Sequence, residues 1–193
     1  MSHSAVRPTL QHFLTCKGGD GYLTAQPPLA LDNTAQLPTD VPHVLVKPTR
    51  TFQVVLGFGA AFTEAAAVTW KELPAARAQQ VLQDYFHPTL GHGYSLCRVH
   101  MNSCDFSLGN YAHTEVAGDV DLKHFSIDRD REALLPFIKA AMAVSARPLQ
   151  LLASPWSPPA WMKSNGEMNG GGKLQPIFAP AWAQCFVRFI REY

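Results

Sequence analysis

From Phe52 onward one pattern recurs three times: a short apolar run, a polar or glycine-rich loop, then a stretch with helical spacing. Strands separated by helices are joined by crossovers, so they lie parallel, and parallel strands covered on both faces read as near-continuous apolar runs. The expected fold class is therefore α/β. In the first unit Val54-Val55-Leu56 reads as the strand and runs into Gly57-Phe58-Gly59, followed by a helix that Thr63 caps and Leu73-Pro74 interrupts. The next helix takes Pro74 at its first position and presents Ala78, Val81, Leu82 and Tyr85 as one buried stripe. The second unit has the strand Leu96-Cys97-Arg98-Val99, a long loop, and a helix with the early acids Asp128, Asp130 and Glu132 facing its N-terminal dipole, which Pro136 kinks or starts. The third has Leu149 to Ala153, a tryptophan-rich loop from Ser154, and a helix opening at Pro180 with Trp182, Phe186, Phe189, Ile190 and Tyr193 on one face. Three strands fall short of the eight of a closed barrel, and no helix stop signal follows Tyr193, so an incomplete barrel is expected. Residues 1–50, rich in proline and threonine with short apolar pieces such as Val44-Leu45-Val46, suit strands and turns and form an N-terminal extension to the 51–193 barrel part.

In folds of this kind ligands meet the loops at the carboxyl ends of the strands. The first loop, Gly57-Phe58-Gly59-Ala60-Ala61-Phe62, imitates the start of a dinucleotide fingerprint, but bulky Phe62 stands where the third glycine belongs. A tight backbone turn is the plainer account of its glycines, with Glu64 in the helix N-terminus or lining a cleft. The second loop, Arg98 to Ser107, concentrates hydrogen-bonding groups that a closed core would not tolerate unpaired. Asp105 there either accepts two sugar hydroxyls or forms a turn, and Arg98 inside a strand calls for an acidic partner. The third loop sets Trp156 and Trp161 among prolines; an indole face packs on the C–H face of a pyranose ring, or both tryptophans cap the sheet. The Asn169-Gly170-Gly171-Gly172-Lys173 stretch lacks the phosphate-loop spacing and reads as a lid or connector.

Sixteen Lys+Arg against fifteen Asp+Glu leave a net charge of +1, which provides no basic field for nucleic acid. No apolar run approaches the roughly 20 residues needed to span a bilayer, so no membrane span is expected. The first sixteen residues lack the apolar core of about 7–15 residues of a secretory signal, which makes the cytoplasm the expected compartment. The four cysteines are scattered and the eight histidines lack metal-ligand spacing, so reduced thiols and no metal are expected; a Cys97–Cys104 bridge would need special loop geometry.

These segments together resemble the front of family 30 glycoside hydrolases, and glucosylceramidases in particular: Gly57 to Ala67, Gly93-Tyr94-Ser95, Ser103-Cys104-Asp105-Phe106-Ser107, and Leu152 to Ser157 with Trp161-Met162-Lys163 and Asn165-Gly166. The resemblance covers about Phe52 to Tyr193 in order. It implies an incomplete (β/α)8 barrel, with Asp105 and Trp156 contacting a terminal glucosyl group, Arg98 supporting the catalytic carboxylates and Phe106 as a neighbouring wall residue. It also implies a β-glucoside or glucosylceramide substrate, a place in sphingolipid or carbohydrate metabolism, and no metal or organic cofactor. Ala60 stands where a third glycine is common in the family, and His100 where related enzymes carry proline. The family's acid/base glutamate lies in an Asn-Glu-Pro motif and its nucleophile further on; neither is found in these 193 residues. The retaining reaction needs both carboxyl groups, about 5–5.5 Å apart. The chain alone is therefore expected to be inactive, and to self-associate through its open barrel edge. Two rival readings are a non-catalytic carbohydrate-binding or regulatory fragment, and a nucleotide-binding α/β domain built on Gly57 and Gly59.

Overall fold

A computed structural model describes residues 8–19, 21–31 and 39–193. The chain divides into two compact units, Met1–Phe52 and Gln53–Tyr193. In the first, β1 (Thr9–Leu10) pairs antiparallel with β4 (Leu29–Ala30), and β2 (Phe13–Leu14) with β3 (Thr24–Ala25), the rungs of one nested ribbon. Val44, Leu45 and Val46 form no strand and are exposed.

The second unit holds a three-stranded parallel sheet in the order β5 (Ala61–Phe62), β6 (Leu96–Met101), β7 (Gln150–Pro155). Its helices are α1 (Glu64–Glu72), α2 (Ala75–Phe86), α3 (Asp128–Glu132), α4 (Leu134–Val144) and α5 (Ala179–Glu192). The alternation and the parallel register agree with the expected α/β class. The first strand lies elsewhere than expected: Val54, Val55 and Leu56 are exposed and outside any strand, and pairing with β6 begins only where the Phe58 carbonyl accepts from Ser95 N–H at 2.9 Å. Among the described residues no neighbouring strand reaches back to the valines, so β-propensity alone does not make a strand of them. Neither Gly57 nor Gly59 adopts a positive φ; a Cβ on Gly59 would meet the Leu96 carbonyl, so glycine serves close approach rather than a turn.

Thr63 caps α1 as expected, its hydroxyl accepting from Ala66 N–H at 3.2 Å. Leu73 ends α1, and Pro74 sits at the cap of α2 (φ −53°, ψ 140°) rather than at its first helical position. The buried side of α2 is Leu82 and Phe86; Tyr85, expected in the stripe, is half exposed. Ala133 breaks α3 from α4, and Pro136 falls in the first turn of α4, where its missing N–H costs no bond. On β6, Cys97, Val99 and Met101 point into the helical layer, where Phe62 stacks on Phe86 at 5.5 Å and meets the edge of Phe137 at 5.3 Å. Arg98 projects from the opposite face of the strand and is exposed. The packed face of α5 is Ala181, Cys185 and Phe189, a 4-residue spacing; Ile190 points outward. All four cysteines are free thiols. Among the described residues no helix is long and apolar enough to cross a membrane.

Candidate functional site

The loops after β6 and β7 meet at the carboxyl end of the sheet and enclose a cleft of about 400 Å³. Its lining includes Ser103, Asp105, Asn110, Trp156, Ser157 and Asn169. Asp105 and Trp156, which lie on different loops, thus share one cavity. Asp105 is also a turn residue: Ser107 N–H donates to the Cys104 carbonyl at 2.9 Å and Cys104 N–H to Ser107 Oγ at 3.0 Å, closing a turn with Asp105 and Phe106 at its centre. The turn presents the Asp105 carboxylate outward, so the two readings of this residue are compatible.

The turn is anchored from below by the start of α1. Ala65 N–H donates to the Phe106 carbonyl at 3.0 Å, and Leu108 N–H to Glu64 Oε2 at 2.8 Å. Glu64 is buried and paired with Arg129 at 2.7 Å, which raises the guanidinium's pKa above its ordinary value; the guanidinium lies 4.2 Å from the Tyr111 ring centroid. Glu64 therefore holds the loop and does not line this cleft. Asp105 is the one carboxylate among the cleft's lining residues.

Arg98 has no acidic partner among its described contacts. Its guanidinium lies over the Trp156 ring at 5.6 Å from the centroid. Arg98 is in a strand but exposed at its position, so water solvates the charge and no carboxylate is needed. Phe106 faces away from the polar cleft into an apolar cavity of about 620 Å³, between β5, α1 and α2, with Phe62, Trp70, Tyr94 and Phe137. The two tryptophans differ in role. Trp156 is 42% exposed and borders the cleft. Trp161 is structural: its indole N–H donates to the Thr114 carbonyl at 3.0 Å and its ring meets the Phe178 edge at 5.0 Å, tying the β7 loop to the β6 loop. The glycine stretch at 170–172 is a pinned connector, since Asn165 Nδ2 donates to the Asn169 and Gly171 carbonyls at 3.0 and 3.3 Å.

Beneath the cleft lies a buried polar cluster that spacing alone did not reveal. Asp130 accepts from Tyr111 Oη at 2.8 Å and pairs with His113 Nε2 at 3.0 Å, both partners of that pair being 1% exposed. Burial disfavours the Asp130 charge, but the hydrogen bonds from His113 and Tyr111 and the electrostatic influence of the neighbouring imidazoles outweigh it and hold the carboxyl below its ordinary range. Burial and the Asp130 charge push the Tyr111 and Tyr193 phenols far up. The early acids of α3 thus divide: Asp128 is exposed near the helix end, whereas Asp130 points inward. The missed signal was Tyr111-Ala112-His113, an alternating pair of ring donors in a loop long enough to need internal anchors. Among the described residues no group of three or more His, Cys, Asp or Glu is placed to hold a metal ion.

The glycosyl hydrolase family 30 TIM-barrel domain model matches residues 55–193. The chain belongs to glycosyl hydrolase family 30. Lysosomal acid glucosylceramidase of Mus musculus is 40% identical over 153 residues, which is 77% of this chain and 30% of that protein. An endo-1,6-β-D-glucanase of Neurospora crassa is 30% identical over 152 residues, 76% of this chain and 31% of that protein. In three dimensions the chain is similar to SrfJ from Salmonella typhimurium, with a TM-score of 0.78 and 36% identity over 89% of this chain and 38% of that one. This family 30 chain therefore spans about 30% of the length of the relatives it matches, at the N-terminal part of the family domain.

Proposed function

We propose that residues 51–193 are the opening three βα units of a (β/α)8 barrel of the glucosylceramidase type, preceded by an N-terminal extension over residues 1–50. In this reading the cleft receives the terminal glucosyl group of a β-glucoside, glucosylceramide or a related glycoside. The observation that carries it is the convergence of Asp105 and Trp156, 51 positions apart, on one cavity within the about 300–1,000 Å³ range of small-molecule sites. Asp105 has two oxygens free to accept a pair of sugar hydroxyls, each a charge-assisted bond. Trp156 gives an indole face to the apolar side of the ring, and Arg98, stacked on that indole, fixes its orientation and adds positive charge beside the site. Phe106, next to Asp105 in the same turn, lines the neighbouring apolar cavity and not the cleft itself.

The same cleft offers one carboxylate where double displacement needs two. Alone, the chain would hold a glucoside without cleaving it, which is also what a non-catalytic binding fragment would do. Incubation of the 193-residue chain with a fluorogenic β-glucoside tests this. No release of fluorophore is expected; turnover that disappears in both Asp105→Ala and Trp156→Ala would mean that the chain carries its own catalytic pair.

A further inference from the structure

Asn102, immediately after β6, has φ +60°, in the left-handed region that favours glycine, and is 1% exposed. A non-glycine residue keeps that backbone only where its surroundings over-determine it. Here they do. Its Oδ1 accepts from His113 N–H at 3.0 Å, its Nδ2 donates to the Ser157 carbonyl at 2.9 Å, and its own carbonyl accepts from His100 Nδ1 at 2.7 Å. Its N–H reaches His113 Nδ1 at 3.4 Å, which leaves the ring proton on Nε2 to serve Asp130 at 3.0 Å. Ser157 extends the line, its single Oγ proton shared between the Pro158 carbonyl at 2.9 Å and the Met168 carbonyl at 3.0 Å.

The line Asp130–His113–Asn102–Ser157–Met168 crosses from α3 to both walls of the cleft. Ser157 follows Trp156 directly, and Asp105 lies three positions after Asn102. We propose that Asn102 is the positioning residue that locks the wall carrying Trp156 to the wall carrying Asp105, and so sets the cleft width that a pyranose ring meets. The inference rests on the reading of this cleft as a sugar site. Asparagine suits the task because one short amide supplies an acceptor for one loop and a donor for the other while tolerating the left-handed backbone.

The decisive variant is Asn102→Gly, which keeps the backbone conformation without strain and removes both side-chain bonds. Asn102→Asp keeps the acceptor for His113 N–H and loses the donor to Ser157. In the full chain, amide hydrogen exchange is followed by mass spectrometry, segment by segment, together with the affinity for methyl β-D-glucopyranoside. Both variants should speed exchange in residues 157–168 by tenfold or more, leave α1 and α2 unchanged, and weaken glucoside binding by about tenfold. In the wild-type chain, NMR should detect a through-hydrogen-bond coupling between Asn102 Nδ2 and the Ser157 carbonyl carbon, a readout that needs no variant to fold. Unchanged exchange in 157–168 for Asn102→Gly, or no such coupling in wild type, would overturn the proposal, as would variants that exchange fast yet bind the glucoside undiminished. A wild-type chain that shows the coupling and the exchange response but binds no glucoside would leave the locking of the walls standing and remove the sugar reading.

Discussion

At the scale of single residues, the chain's chemistry is divided between groups that face water and groups that hold those in place. Thr63 was legible as a cap because its partner is three residues away in sequence. Asp130 was not, because its partners Tyr111 and His113 come from another loop, and an acid in a first helical turn already has a sufficient local explanation. Arg98 was not legible for a similar reason: strand residence suggests burial, whereas this strand's second face is open at Arg98 and covered only further on, at His100. The Asp130 carboxylate accepts buried, charge-assisted hydrogen bonds from Tyr111 and His113, so Asp130→Asn should cost about 1.5–3 kcal/mol at neutral pH, read from denaturant midpoints. The sign of the pH effect follows from the lowered Asp130 pKa. A depressed carboxyl stabilises the fold above its unfolded value near 3.9, and that stabilisation is lost as pH falls through the folded value. The melting temperature should thus drop on acidification below about pH 4, and part of that drop should be missing in Asp130→Asn.

At the scale of elements, period and punctuation located α1, α2 and α5 closely, because helices report their own buried stripes and caps. The strands were harder. β6 and β7 are apolar runs flanked by covering helices and were legible, but among the described residues the run Val54-Val55-Leu56 has no partner strand alongside it. The paired element is Ala61–Phe62, where small Ala60 and Ala61 let the chain lie against β6, and nothing in their composition announces a strand. Gly59 is the contact on which this pairing depends. Gly59→Ala would drive a methyl into the Leu96 carbonyl and should destabilise the unit by about 1–3 kcal/mol. Gly109→Ala, with no atom within 4 Å of the added methyl, serves as the control and should stay within about 0.5 kcal/mol in the same denaturation series.

At the scale of the molecule, the parallel sheet leaves β5 and β7 as edges, and Val54, Val55, Leu56 and Phe58 stand exposed beside the first of them. Exposed edges next to apolar side chains favour pairing between copies. Light scattering should therefore show concentration-dependent association, reduced when Val54 and Leu56 are both replaced by lysine; a monodisperse monomer with a cooperative melt would contradict this. Family membership was legible from motif order along the chain; Asp105 and Trp156 were set together only through the resemblance, and the Asn102 link between their loops depends on a contact 55 residues apart that emerged only in three dimensions. The central claim is that Asp105 and Trp156 line one sugar-binding cleft. It is tested most directly by calorimetric titration of the chain with methyl β-D-glucopyranoside beside Asp105→Ala and Trp156→Ala. The account predicts saturable binding in the wild-type chain that weakens by tenfold or more, about 1.4 kcal/mol, in each variant; no saturable binding, or affinity indifferent to both substitutions, would contradict it.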